Sequence, residues 1–139
     1  MSKIASYLGC HLRGEVMTGA GLRDYFSTDG SILKMTPLLV AYPFDTSDVR
    51  KIAHFAWQLA EKGHVLPLTA RGSGSSKVGA AIGQGAIISL PYHMKSILEI
   101  DTKQKLVRLQ AGVHLKTLMT TMRTHGLVWP VQTCLPNGT

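Results

Sequence analysis

Apolar positions divide the chain into short segments with different periods. Ile4, Leu8 and Leu12 recur at the spacing of one helical face, which predicts a short helix within the first twelve residues. Arg13 to Ser31 is Gly-rich and polar without a sustained period, and it reads as irregular. The block Leu38-Leu39-Val40-Ala41-Tyr42 is closed by Pro37 and Pro43, residues that cannot donate to a sheet ladder, so it predicts a first strand. Asp45-Thr46-Ser47-Asp48 then supplies capping side chains. Val49, Ile52, Ala53, Ala56 and Leu59 follow at intervals of three or four, giving an amphipathic helix that ends near Gly63.

Val65 to Ala70 predicts a second strand, so that strand, helix and strand form a parallel unit. Arg71 to Gly85 changes abruptly to Gly, Ser and Ala, before strand character returns at Ala86-Ile87-Ile88-Ser89-Leu90. Residues 97–101 and 106–110 flank the polar turn Thr102-Lys103-Gln104 and predict an antiparallel hairpin. Leu115, Leu118, Met119 and Met122 mark a last amphipathic helix, stopped at His125-Gly126. The expected class is α+β with an α/β-like start: a small mixed sheet flanked by two helices.

Composition narrows the functional classes. With 45% hydrophobic and 17% charged residues the chain has enough apolar material for one core. No apolar run approaches the roughly 20 residues of a membrane helix. The N-terminus carries no apolar signal segment, so a cytoplasmic location is expected. The formal charge is +7, but the fifteen basic residues are dispersed and aromatics make up only 6%, which argues against a nucleic-acid footprint. The six His residues show no metal-ligand spacing, and Cys10 and Cys134 stand alone, so no metal site is expected and both thiols are read as free and partly buried.

Chemistry concentrates in Arg71-Gly72-Ser73-Gly74-Ser75-Ser76-Lys77-Val78-Gly79. Gly72 and Gly74 permit positive φ and close approach of a ligand, so that successive N–H groups point into one concavity. Three Ser hydroxyls add donors, and Arg71 and Lys77 add positive charge. The set suits an anion such as a diphosphate, with a flexible surface loop as the alternative. Two phosphate-binding patterns fail. A P-loop requires Gly and Ser or Thr on either side of the Lys, where Ser76 and Val78 stand. A dinucleotide fingerprint requires a third Gly where Lys77 stands.

Leu66 to Ser76, then Gly85 to Leu90, Met94, Ile97 to Asp101, Val107, Ala111-Gly112-Val113 and His125-Gly126-Leu127 together resemble the FAD-linked oxidase family, which carries the vanillyl-alcohol oxidase or PCMH type of FAD-binding domain. Tyr25-Phe26-Ser27-Thr28-Asp29-Gly30-Ser31, with Pro37, Val40, Pro43 and Asp48-Val49, is similar to the branch containing D-lactate and glycolate dehydrogenases. The resemblance spans residues 22–139. It implies an N-terminal extension over residues 1–36 and the first part of the FAD-binding domain over residues 37–139.

The resemblance further implies that Ala70, Arg71, Gly72, Ser73, Gly74, Ser75, Ser76 and Gly79 wrap the FAD pyrophosphate. Thr139 would open a second flavin-contacting motif. Some members tether the flavin through a His in this loop. Ser75 occupies that position, so non-covalent FAD is expected. The chain stops as the second motif begins, so it reads as a truncated or excised first part with no catalytic residue of its own and with apolar surface open to self-association. Candidates for that surface are Leu118, Met119 and Met122 and the stretch Val128-Trp129-Pro130-Val131, whose more ordinary reading is as core. The parent would move a hydride from a small 2-hydroxy acid such as D-lactate or glycolate to FAD. The alternatives are a flavin reductase of cell-wall-precursor type, against which residues 25–31 argue, and a non-catalytic fragment that no longer binds FAD.

Overall fold

The computed structural model describes residues 3–130. The chain opens with helix α1 (Lys3–His11), which buries Ala5 and Leu8 as its apolar spacing predicts. The stretch expected to be irregular contains two elements, strand β1 (Glu15–Met17) and the short helix α2 (Ala20–Tyr25). Both are stabilised by tertiary pairing and packing, which a local period does not reveal. β1 hydrogen-bonds antiparallel to β2 (Leu39–Tyr42), with Val16 opposite Ala41, and the buried Phe26 that follows α2 packs in one cluster with Val40, Tyr42 and Ile87.

Pro37 and Pro43, both buried, bound β2 as expected. Helix α3 (Thr46–Glu61) starts at Asp45, whose Oδ1 accepts the Asp48 N–H at 3.0 Å. The next strand, β3 (Leu68–Arg71), begins three residues later than its hydrophobicity suggests. Pro67 has no N–H for a ladder, and Val65 is exposed. β4 (Ala86–Ser89) follows the long Gly/Ser segment.

The four strands lie in the order β1-β2-β4-β3, so β4 is inserted between the two strands of the expected parallel unit and pairs in parallel with both. Such a central strand is buried on both faces, hence its continuous apolar run. One face, carrying Leu39, Ala41, Ala86 and Ile88, packs under Leu8 of α1 and Ile52 and Ala56 of α3. The opposite face, carrying Val40 and Ile87, is covered by Phe26 and Leu22. The mixed sheet with helices is therefore as expected, with an additional edge strand and an additional short helix.

A second, two-stranded sheet is the predicted hairpin, β5 (Ile97–Asp101) and β6 (Leu106–Leu109). It packs on α4 (Leu115–Thr124) through Leu118, Met122 and Val113. Leu118 and Met122 are buried, as the reading of that helix as ordinary core has it, whereas Val128 is 77% exposed. Val131 lies outside the described residues. Cys10 is a free thiol and is exposed, contrary to expectation, because it lies on the solvent face of α1 opposite Leu8. Cys134 is also outside the described residues. Among the described residues no helix is long and apolar enough to cross a membrane, and no group of His, Cys, Asp or Glu is placed to hold a metal.

Candidate functional site

β2, β3 and β4 run in parallel, so their carboxyl ends, Tyr42, Arg71 and Ser89, lie on one side of the sheet, the side where open α/β sheets place ligands. The Gly/Ser segment leaves β3 there. Beside it is a cleft of about 340 Å³ lined by Tyr42, Gly72, Ser73, Ser89, Tyr92 and His114, among others. The Tyr42 and Tyr92 rings stand 5.1 Å apart in its wall. Burial, and next the neighbouring Tyr92, push the Tyr42 hydroxyl above its ordinary value, so it stays a neutral donor at physiological pH.

The loop is ordered by its own chemistry. Gly74 and Gly79 hold φ of +76° and +75°, the conformation for which the sequence supplies glycine, whereas Gly72, expected to share it, does not. The Ser76 hydroxyl accepts the N–H groups of Val78 and Ala80 at 3.3 and 3.2 Å, closing the turn. Ser73 and Ser75 place their hydroxyl oxygens 3.2 Å apart, with Ser73 donating, which leaves the Ser75 hydrogen for another acceptor. Among the described residues, the N–H groups of Gly72, Gly74, Ser75 and Ser76 have no acceptor, and all four residues are only half-buried. Unpaired N–H groups following one another around a left-handed glycine form an anion-binding concavity. The donor set therefore fits a diphosphate.

Arg71 also lines the cleft, but its side chain is turned largely inward. It is 5% exposed, and Nη1 donates to the carbonyls of Thr28 at 2.8 Å and Ala81 at 3.1 Å, with the guanidinium 4.9 Å from the centre of the Phe26 ring. A Cβ on Gly74 would overlap that guanidinium. Burial pushes the Arg71 pKa down and Tyr25 and Asp29 oppose this, but an arginine remains charged throughout the physiological range. Its charge is engaged by carbonyls and an aromatic face, so it is not the solvent-facing cation the sequence suggests. Lys77 is exposed, as is Ala70 on β3. Thr139 lies outside the described residues.

The stretch Arg13 to Ser31, to which the sequence assigns no chemistry, supplies the loop's backing. Gly30 N–H donates to Gly74 O at 3.1 Å, and the Asp29 carboxylate accepts the N–H groups of Ser31 at 2.9 Å and Ala81 at 3.4 Å. The Asp29 carboxyl is held below its ordinary value, first by the Ser31 hydroxyl and then, against the cost of burial, by these N–H groups and the Arg71 charge. The turn-forming run Asp29-Gly30-Ser31 was the available signal. Tyr42, Ser89, Tyr92 and His114 were also missed, because the end of β2, the end of β4 with the turn after it, and the start of α4 are brought together only by folding.

Residues 37–139 match the FAD binding domain family. The chain is 40% identical over 100 residues to the D-2-hydroxyglutarate dehydrogenase of Pantoea ananatis, an alignment covering 72% of this chain and 10% of that enzyme. It is 31% identical over 115 residues to the enzyme of the same name from Pseudomonas putida, covering 83% and 11%. To the glycolate oxidase subunit GlcD of Bacillus subtilis it is 28% identical over 95 residues, covering 68% and 19%. Among solved structures, Physcomitrella patens BBE-like 1 superposes with a TM-score of 0.75 at 15% identity, over 96% of this chain and 29% of that one, a likeness of fold. The chain thus spans 10% to 11% of the length of the dehydrogenases it matches.

Proposed function

Because the chain belongs to the FAD binding domain family, we propose that it is the pyrophosphate-holding segment of a flavin-dependent oxidoreductase, with Ala70 to Ser76 and Gly79 around the two phosphates. The observation that carries this reading is the set of N–H groups at Gly72, Gly74, Ser75 and Ser76 that have no acceptor among the described residues. Each N–H bond to a phosphate oxygen is charge-assisted and about twice as strong as a neutral one. The Ser75 hydroxyl donates alongside them. Lys77 adds screened, long-range attraction. Thr139 belongs to the proposal as the start of a second contact.

Bound FAD supplies the acceptor for a hydride, a capacity that no side chain has. Ser75 offers no nucleophile that would tether a flavin at neutral pH, so the cofactor is held non-covalently. Tyr42 and Tyr92 present apolar faces with polar tips in the wall of the cleft. Relatives named for D-2-hydroxyglutarate and for glycolate share a hydroxyl on the carbon next to a carboxylate. The substrate proposed for the whole enzyme is therefore a small 2-hydroxy acid, with hydroxyglutarate joining D-lactate and glycolate as candidates.

The chain is incubated with FAD, freed of unbound flavin by gel filtration, and then denatured in acid. Yellow protein that releases all its flavin on denaturation is expected. A colourless eluate overturns the cradle, and flavin that stays with the denatured chain overturns non-covalent attachment. For the substrate, anaerobic bleaching of the flavin in the full-length enzyme by D-2-hydroxyglutarate, glycolate or D-lactate is expected. No bleaching by any of the three would refute the 2-hydroxy acid reading.

A further inference from the structure

We infer that Arg71 is a positioning residue for the pyrophosphate loop, and that Phe26 to Gly30, upstream of the residues that match the family, complete the flavin site as its brace. The inference rests on the cradle proposed above. A cation placed to neutralise phosphate should present its donors to the ligand. Arg71 instead commits Nη1 to Thr28 O and Ala81 O and lays its plane against Phe26. Those two carbonyls belong to the brace and to the far end of the loop, while Arg71 itself begins the loop. One guanidinium therefore ties the start of the loop, its end and the backing strip together.

Two further contacts work in the same direction. Asp29 Oδ2 accepts the Ala81 N–H, so Ala81 is held through both its carbonyl and its N–H. Gly30 bonds Gly74 O, and a Cβ on Gly30 would come within 2.9 Å of Ser76 O and 3.1 Å of Ser75 O. Neither contact involves a charge that reaches the ligand, yet both set where the N–H groups of residues 74–76 stand. A loop ordered in advance spares the ligand the entropy of ordering it, which is how preorganisation raises affinity. Brace and counter-ion roles make opposite predictions for variants that preserve charge.

The test compares the wild-type chain with Arg71→Lys, which keeps the charge but lacks the planar fork, and with Gly30→Ala, which changes no charge and lies at an exposed position. FAD affinity by titration calorimetry is expected to fall at least tenfold in Arg71→Lys and several-fold in Gly30→Ala. Amide exchange without FAD is expected to accelerate within residues 72–81 while β2 and β4 keep wild-type protection. Wild-type affinity in both variants, or wild-type exchange in the loop, overturns the brace. So does an Arg71→Lys variant whose exchange rises equally in β2 and β4, which would mark a general loss of stability. If the wild-type chain takes up no FAD, the cradle reading fails, and the exchange measurement still decides whether Arg71 and Gly30 order the loop.

Discussion

Replacing Asp48 by Asn tests how the N-terminal segment is fastened to the sheet. The Asp48 carboxylate is wholly buried, and its oxygens accept three backbone N–H groups: Gly14 at 2.9 Å, Phe44 at 3.1 Å and Arg13 at 3.1 Å to each oxygen. Lys51 Nζ is 3.5 Å away. Burial alone would raise the carboxyl pKa, but the N–H groups of Phe44, Arg13 and Gly14, with Lys51, outweigh it and hold the group below its ordinary value. Asn preserves the shape and one acceptor, but its bonds are neutral. Charge-assisted bonds contribute about 1.5–3 kcal/mol and neutral ones about 0.5–1.5. Over three donors, less the relief from no longer burying a charge, the expected loss is about 2–3 kcal/mol.

At this chain length 1 kcal/mol moves Tm by about 3–5 °C, so the Asn variant should melt about 6–15 °C lower at neutral pH. The sign of the pH dependence follows from the depressed native pKa. Between the native value and the unfolded value of about 3.9, the unfolded chain binds more protons, so this contribution is complete above the unfolded pKa and is lost as pH falls through the native one. The gap between wild type and variant should therefore be constant near neutrality and close in acid. Urea unfolding at a series of pH values measures it. A variant as stable as wild type at neutral pH, or a gap that does not narrow in acid, would overturn this account of Asp48.

Gly74→Ala places a side chain at φ +76° and drives a Cβ into the Arg71 guanidinium, so FAD affinity by fluorescence titration should fall at least tenfold; unaltered affinity would mean the loop does not hold the ligand in this conformation. The left-handed backbone alone costs a non-glycine residue about 1–2 kcal/mol. Ile87→Ala removes a fully buried side chain from the central strand beside Val40 and Tyr42, and should lower unfolding free energy by about 2–5 kcal/mol in urea. A change under 1 kcal/mol would show that the site collapses around the void.

Local pattern was enough for those parts of the molecule whose chemistry is contiguous in the chain. Pro37 and Pro43 bound β2 because a missing N–H is a property of the residue itself. Asp45 caps α3 because its side chain reaches an N–H three residues on. Gly74 and Gly79 mark a tightly turning loop, since tolerance of positive φ is likewise intrinsic. The β5–β6 hairpin and α4 follow for the same reason, each being organised by neighbours in sequence.

The features that sequence leaves open involve partners distant in the chain. β1 lacks a readable period because three residues become a strand only by pairing with Tyr42, Ala41 and Val40. The position of β4 between β2 and β3 depends on which apolar runs pack best, and strand order leaves no local mark. Arg71 looked like a ligand-facing cation because composition reports charge without direction. Burial against Phe26 and the carbonyls of Thr28 and Ala81 turned that charge inward, which leaves the proposed anion cradle to backbone N–H groups, which every sequence contains and only a fold can aim.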